Sequence, residues 1–96
     1  GGQLSVDTFE VILLGQALKF YQQCSEDLSM RLNKCFEDME RNPFYGPHIK
    51  LLKTFKGDRV YRYRVGDYRV IYDVDKHSRQ IGVHLILPRA QVYRDY

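Results

Sequence analysis

Tyr61-Arg62-Tyr63-Arg64-Val65-Gly66-Asp67-Tyr68-Arg69-Val70-Ile71-Tyr72 is the stretch that decides the fold. Two runs rich in aromatic and β-branched residues flank a Gly-Asp pair. This is the pattern of two antiparallel strands joined by a two-residue loop with glycine first, as a type II′ turn requires. With Gly66-Asp67 as the loop, Val65 faces Tyr68, Arg64 faces Arg69, Tyr63 faces Val70, Arg62 faces Ile71 and Tyr61 faces Tyr72. Side chains alternate between faces along a strand, so Tyr61, Tyr63, Val65, Tyr68, Val70, Tyr72 and Val74 share one face. That face is the expected core side, and Arg62, Arg64, Arg69 and Ile71 stand on the other.

Arginines placed opposite one another cost from a few tenths to about 1 kcal/mol. A third beside them implies an anion between them, and arginine suits a phosphate because its planar fork donates two parallel hydrogen bonds at any physiological pH. The alternative for each arginine taken singly is a solvated face, loosely paired with Asp67 or Asp73.

Outward from the hairpin, Val60 to Val65 and Tyr68 to Val74 are the expected strands, and Ile81 to Leu87 follow as a third, closed by Pro88. Alternation there places Val83, Leu85 and Leu87 on one face and His84 with Ile86 on the other. If the first set is core, His84 joins the arginines, with a titration range suited to acid–base work; otherwise it is an ordinary sheet histidine. His48 and His77 fall in loops. Residues 44–58 carry Pro47, Gly46 and Gly57 around Lys50, Lys53 and Lys56, and read as an ordered loop with a helical turn at Ile49–Leu52.

Toward the N-terminus the period changes. Ala17, Phe20, Tyr21 and Cys24 fall at i, i+3, i+4 and i+7, the stripe of a short amphipathic helix. Ser25 is placed to cap a second helix whose stripe is Leu28, Leu32, Cys35, Phe36 and Met39, with Glu26 and Asp27 at its positive end and Asn42-Pro43 stopping it. Residues 6–13 read as an opening strand. The fold class is therefore α+β: an antiparallel meander with an N-terminal strand and a two-helix hairpin on one face. A chain of 96 residues holds one core, so residues 1–96 are expected to be a single domain.

Hydrophobic residues at 44% and charged residues at 28% are those of a globular protein. No apolar run approaches the roughly 20 residues that span a bilayer, and the start of the sequence lacks the charged, apolar and small-residue order of a secretory signal, so a cytoplasmic protein without membrane contact is expected. Cys24 and Cys35 lie on the helix stripes and are expected to be reduced. Neither has a second ligand at metal spacing, so no metal or cofactor is expected. Net charge divides unevenly, −3 over residues 1–47 and +6 over residues 48–96. An anionic partner belongs on the second half.

The hairpin string, the closing Arg89, Val92, Tyr93 and Arg94, and Asn42-Pro43-Phe44 ahead of Lys50-Leu51-Leu52-Lys53 together resemble the RelE/ParE superfamily of toxin–antitoxin toxins, from about Thr8 to Arg94. Members of the RelE branch are ribosome-dependent endoribonucleases that cut mRNA in the decoding site. The resemblance implies a catalytic set of Arg62, Arg64, Arg69 and Tyr93, with His84 as a further candidate, and RNA-binding roles for Lys50, Lys53, Lys56, Arg89 and Arg94. Arg62 and Arg64 stand where RelE has two lysines, and Leu87-Pro88 replaces a basic residue common in relatives. The implied reaction is attack of a ribose 2′-hydroxyl on its own 3′-phosphate. This needs charge stabilisation, a proton acceptor and a proton donor, and an arginine is a poor acceptor. Expected partners are the ribosome, mRNA and a cognate acidic antitoxin. The alternatives are a ParE-like inhibitor of DNA gyrase, acting by binding, and a basic binding module without toxic activity.

Overall fold

The computed structural model describes residues 8–55 and 58–89, the side chains of residues 53–59 excepted. Its elements run β1 (Glu10–Leu13), α1 (Gly15–Gln23), α2 (Glu26–Arg41), β2 (Ile49–Phe55), β3 (Asp58–Val65), β4 (Tyr68–Asp75) and β5 (Gln80–Pro88). The strands form one sheet in the order β1-β5-β4-β3-β2, antiparallel except for β1 alongside β5. The fold is α+β, with both helices on one face.

The β3–β4 register is the expected one, from Val65↔Tyr68 through Arg64↔Arg69 to Tyr61↔Tyr72. Gly66 has φ +57° while Asp67 stays at negative φ, which is the type II′ requirement that glycine alone meets without strain. Ser25 caps α2, its Oγ accepting from the Leu28 N–H at 3.2 Å, with Glu26 and Asp27 in the first turn and Arg41 in the last. Leu32, Cys35 and Met39 then bury one α2 stripe against Tyr61, Tyr63, Val70, Tyr72, Ile81, Val83 and Ile86. Tyr61 and Tyr72 stack at 5.6 Å, and Tyr72 donates its hydroxyl proton to the Pro43 carbonyl at 2.7 Å. Cys35 packs in this core and Cys24 is half-buried.

Two expectations about the strands fail at bulges. Residues 49–55 are a strand, β2, paired antiparallel with β3, and not a loop with a helical turn. An irregularity between Leu51 and Lys53 inserts Leu52 into the ladder, so the Leu51-Leu52 doublet breaks the alternation that marks a strand. The second bulge lies in β5, where Ile71 pairs with Leu85 but Tyr72 pairs with Val83. His84 is the extra residue, and the faces swap across it. Val83 and Ile86 enter the helix-side core, whereas Leu85 and Leu87 join Ile71, Leu52 and Val60 in a small cluster on the open face.

The β1 end of the sheet is closed by the C-terminal turn of α2 and by two side chains. Phe9 N–H donates to the Glu40 carbonyl at 2.9 Å and Val11 N–H to a Glu40 carboxylate oxygen at 3.3 Å. Beyond Val83, where β1 stops pairing, Gln16 donates to the Ile86 carbonyl at 3.0 Å and accepts from the Ile86 N–H at 2.8 Å.

Candidate nucleic-acid interface

On the face away from the helices, the register sets cations side by side. Lys50 of β2 pairs with Arg62 of β3, and one step toward the hairpin tip Arg64 pairs with Arg69 of β4. Lys50, read as a loop residue, thus extends the arginine cluster onto a third strand. Lys53 pairs with Val60 in the same ladder. Arg89 is brought to the hairpin as well, its N–H donating to the Asp67 carbonyl at 2.9 Å. Lys56, Tyr93 and Arg94 lie outside the described residues.

The three arginines are not equivalent. Arg64 is exposed and Arg62 half-buried. Arg69, expected to present its charge on the open face, is 5% exposed and donates from one Nη to the carbonyls of Gly66 and Tyr68, both at 2.9 Å. It thereby ties down the turn it flanks, a burial that alternation alone does not reveal. The Nε atoms of Arg62 and Arg69 are enclosed and have no acceptor. Buried donors of this kind are costly when left unpaired.

His84 stands on the same open face, at the bulge, with Nε2 3.1 Å from Asp73 Oδ2. Both side chains are partly exposed, and such a pair adds little stability. Its effect is to aim the ring. Glycine at position 82 makes room, since a Cβ there would stand 2.8 Å from Asp73 Oδ1. Reading the sequence misses Asp73 as this partner because the two residues meet only across the bulge. Strands lie about 4.8 Å apart, so His84 on β5 is two strands, roughly 10 Å, from Arg62 on β3. Tyr63 offers no base, because burial and the hydrogen bond from its hydroxyl to Asp38 at 2.7 Å push it well above the usual phenol range. No cluster of three metal-ligating side chains occurs among the described residues, and no helix among them is long and apolar enough to cross a membrane.

A mixed five-stranded sheet with two helices on one face is the architecture found in solved structures of RelE and YoeB/ParE toxins. A chain of the archaeal RelE–RelB complex from Pyrococcus horikoshii OT3 is similar at a TM-score of 0.74 and 27% identity, over 88% of this chain and 98% of that one. The YoeB/ParE toxin from Agrobacterium tumefaciens matches at 0.70 and 16%, over 83% and 98%, and isolated Escherichia coli RelE at 0.66 and 18%, over 91% and 93%; these two show likeness of fold alone. A search of curated sequences found no match. The family model for the ParE toxin of type II toxin–antitoxin systems, parDE, matches residues 12–93. The chain belongs to this family and is the toxin of a type II toxin–antitoxin system.

Proposed function

We propose that the chain is a ribosome-dependent mRNA endoribonuclease, acting in the cytoplasm and restrained by a cognate acidic antitoxin. One observation carries this reading: the cross-strand pairs Lys50–Arg62 and Arg64–Arg69 form one cationic surface on the face the helices leave open. A phosphate there meets Lys50, Arg62 and Arg64 directly, and their charges stabilise the negative charge that grows in the transition state, while the enclosed Arg69 holds the turn beneath them. His84, oriented by Asp73, takes the proton of the attacking 2′-hydroxyl. Tyr93 stacks on a base or orients that hydroxyl, and Lys53, Lys56, Arg89 and Arg94 hold the flanking RNA. An antitoxin partner is supported by the archaeal relative, whose structure is a RelE–RelB complex.

Expression from a tight promoter, with mapping of mRNA ends at the ribosomal A site, tests the reading. Arg64→Ala is expected to slow cutting by roughly 10²-fold, as loss of one transition-state donor does, and Tyr93→Phe to slow it as well. His84→Gln is expected to depress cutting without weakening ribosome binding; an unchanged rate removes it from the mechanism. Intact mRNA with double-strand DNA breaks overturns the reading in favour of gyrase inhibition. That second reading draws on the ParE family match and on Arg69, whose bonds to two backbone carbonyls hold a binding surface rigid without supplying a base.

A further inference from the structure

One stripe of α2 is committed to the core, and beside it runs another. Arg31, Lys34, Asp38 and Arg41 recur at intervals of three, four and three, the spacing of a single helical face. Arg31 and Lys34, three residues apart, form a like-charged pair that a helix does not favour for its own sake. This face borders an open groove of about 590 Å³ between α2 and the end of β3, lined by Arg31, Lys34, Arg41 and Arg64, with His48 and Tyr63. The hairpin closes one end, since a Cβ on Gly66 would stand 3.4 Å from a guanidinium nitrogen of Arg31.

Glu37 and Asp38 also line the groove and offset two of its four positive charges, leaving it cationic. Asp38 accepts from the Tyr63 hydroxyl at 2.7 Å, and Glu37 makes no ion pair among the described residues. Arg31 reaches Asp27 at 3.6 Å, with both side chains largely exposed. Lys34, Arg41 and Arg64 form no ion pair among the described residues. His48 Nδ1 is enclosed without a hydrogen-bond partner. Arg64 joins the two regions: its place in β3 assigns it to the open face with Arg62, and it also lines the groove.

We infer that this groove is a second RNA-binding stretch, in which Arg31, Lys34 and Arg41 hold the phosphodiester backbone of a single strand that leaves the sheet face past Arg64. The inference deepens the ribonuclease reading and rests on it for the kind of anion. Along α2 the three cations span about 15 Å at 1.5 Å per residue, a track for a backbone and not a pocket for one phosphate. His48, half-buried with its ring 5.6 Å from that of the buried Tyr63, borders this track.

The test uses the whole chain and a fluorescent 12-nucleotide RNA, 2′-O-methylated so that it lacks the attacking hydroxyl, with binding followed by anisotropy against salt. Arg31→Gln with Lys34→Gln, both at exposed helix positions, is expected to weaken binding about tenfold and to lower the salt slope by about 1.4, at 0.7 per phosphate contact for single strands. Lys19→Gln, on α1 away from the groove, is expected to leave both unchanged. Affinity and slope unaltered in the double variant overturn the inference. So does binding of a glutamate-rich peptide in place of RNA, which assigns the groove to an acidic protein. If the chain cuts no mRNA on ribosomes yet binds the oligomer with the same dependence on Arg31 and Lys34, the cutting fails and the groove stands. A chain that cuts but binds without regard to these residues fails in the groove alone.

Discussion

On the helix-covered face of β3 and β4, Tyr61, Tyr63, Val70 and Tyr72 are buried, and the Tyr63 and Tyr72 hydroxyls have acceptors in Asp38 and Pro43. On the open face of the same two strands, the intervening Arg62 and Arg69 keep enclosed Nε donors without acceptors. Neighbouring residues on one backbone thus meet opposite conditions. The first face satisfies its tyrosine hydroxyls internally and holds the chain folded, whereas the second leaves buried donors unsatisfied, as a surface kept for something other than stability does. If this division is sound, substitutions on one side change stability and on the other change binding.

The largest effect is expected from Leu32→Ala, which opens a cavity where α2 meets the sheet at a fully buried position. A loss of about 2–5 kcal/mol in urea unfolding is expected, the usual range for such truncations. Tyr72→Phe should cost less, about 1–3 kcal/mol, by leaving the buried Pro43 carbonyl without its donor. It should also flatten the alkaline limb of the stability profile. Burial raises Tyr72, burial and Asp38 raise Tyr63, and burial and Asp38 raise Cys35 above their ordinary ranges, so the unfolded chain gives up these protons first. Stability is therefore complete well below about pH 8.5, the midpoint for an unfolded cysteine, and declines as pH climbs through it toward the raised values. Unfolding midpoints measured from pH 7 to 10.5 check this.

Ser25→Ala removes the α2 cap at a cost of about 1 kcal/mol. Arg64→Ala should change stability least, within about 0.5 kcal/mol for an exposed side chain, because the lost packing is offset by relief of the Arg64–Arg69 repulsion. Its effect belongs in RNA cutting or binding. A loss of stability as large as that of Leu32→Ala would erase the distinction between the faces.

The hairpin was legible because every residue from Tyr61 to Tyr72 obeys one alternation and Gly66-Asp67 sets its origin, so the register follows from counting. The helices were legible through the Ala17–Cys24 and Leu28–Met39 stripes and the Ser25 cap. β2 was hidden because Leu52 interrupts its alternation, and the faces of β5 because His84 does the same. A bulge is specified by the partner strand, which no local pattern contains. The arginine face followed from register, but the burial of Arg69 did not, since alternation tells which way a side chain leaves the strand and not what covers it.

Gln16 and Glu40 bear on how the toxin behaves at high concentration. A sheet edge with free N–H and C=O groups is a template on which another chain can build, and proteins that leave one long and flat tend to aggregate. Glu40 occupies the outward N–H groups of Phe9 and Val11, and the Gln16 amide imitates a strand's backbone against Ile86 where β1 has ended. At the opposite margin, Lys50 and Lys53 interrupt the apolar run of β2. Gln16→Ala would unblock the margin of β5, and the expected symptom is concentration-dependent precipitation of a chain that still folds.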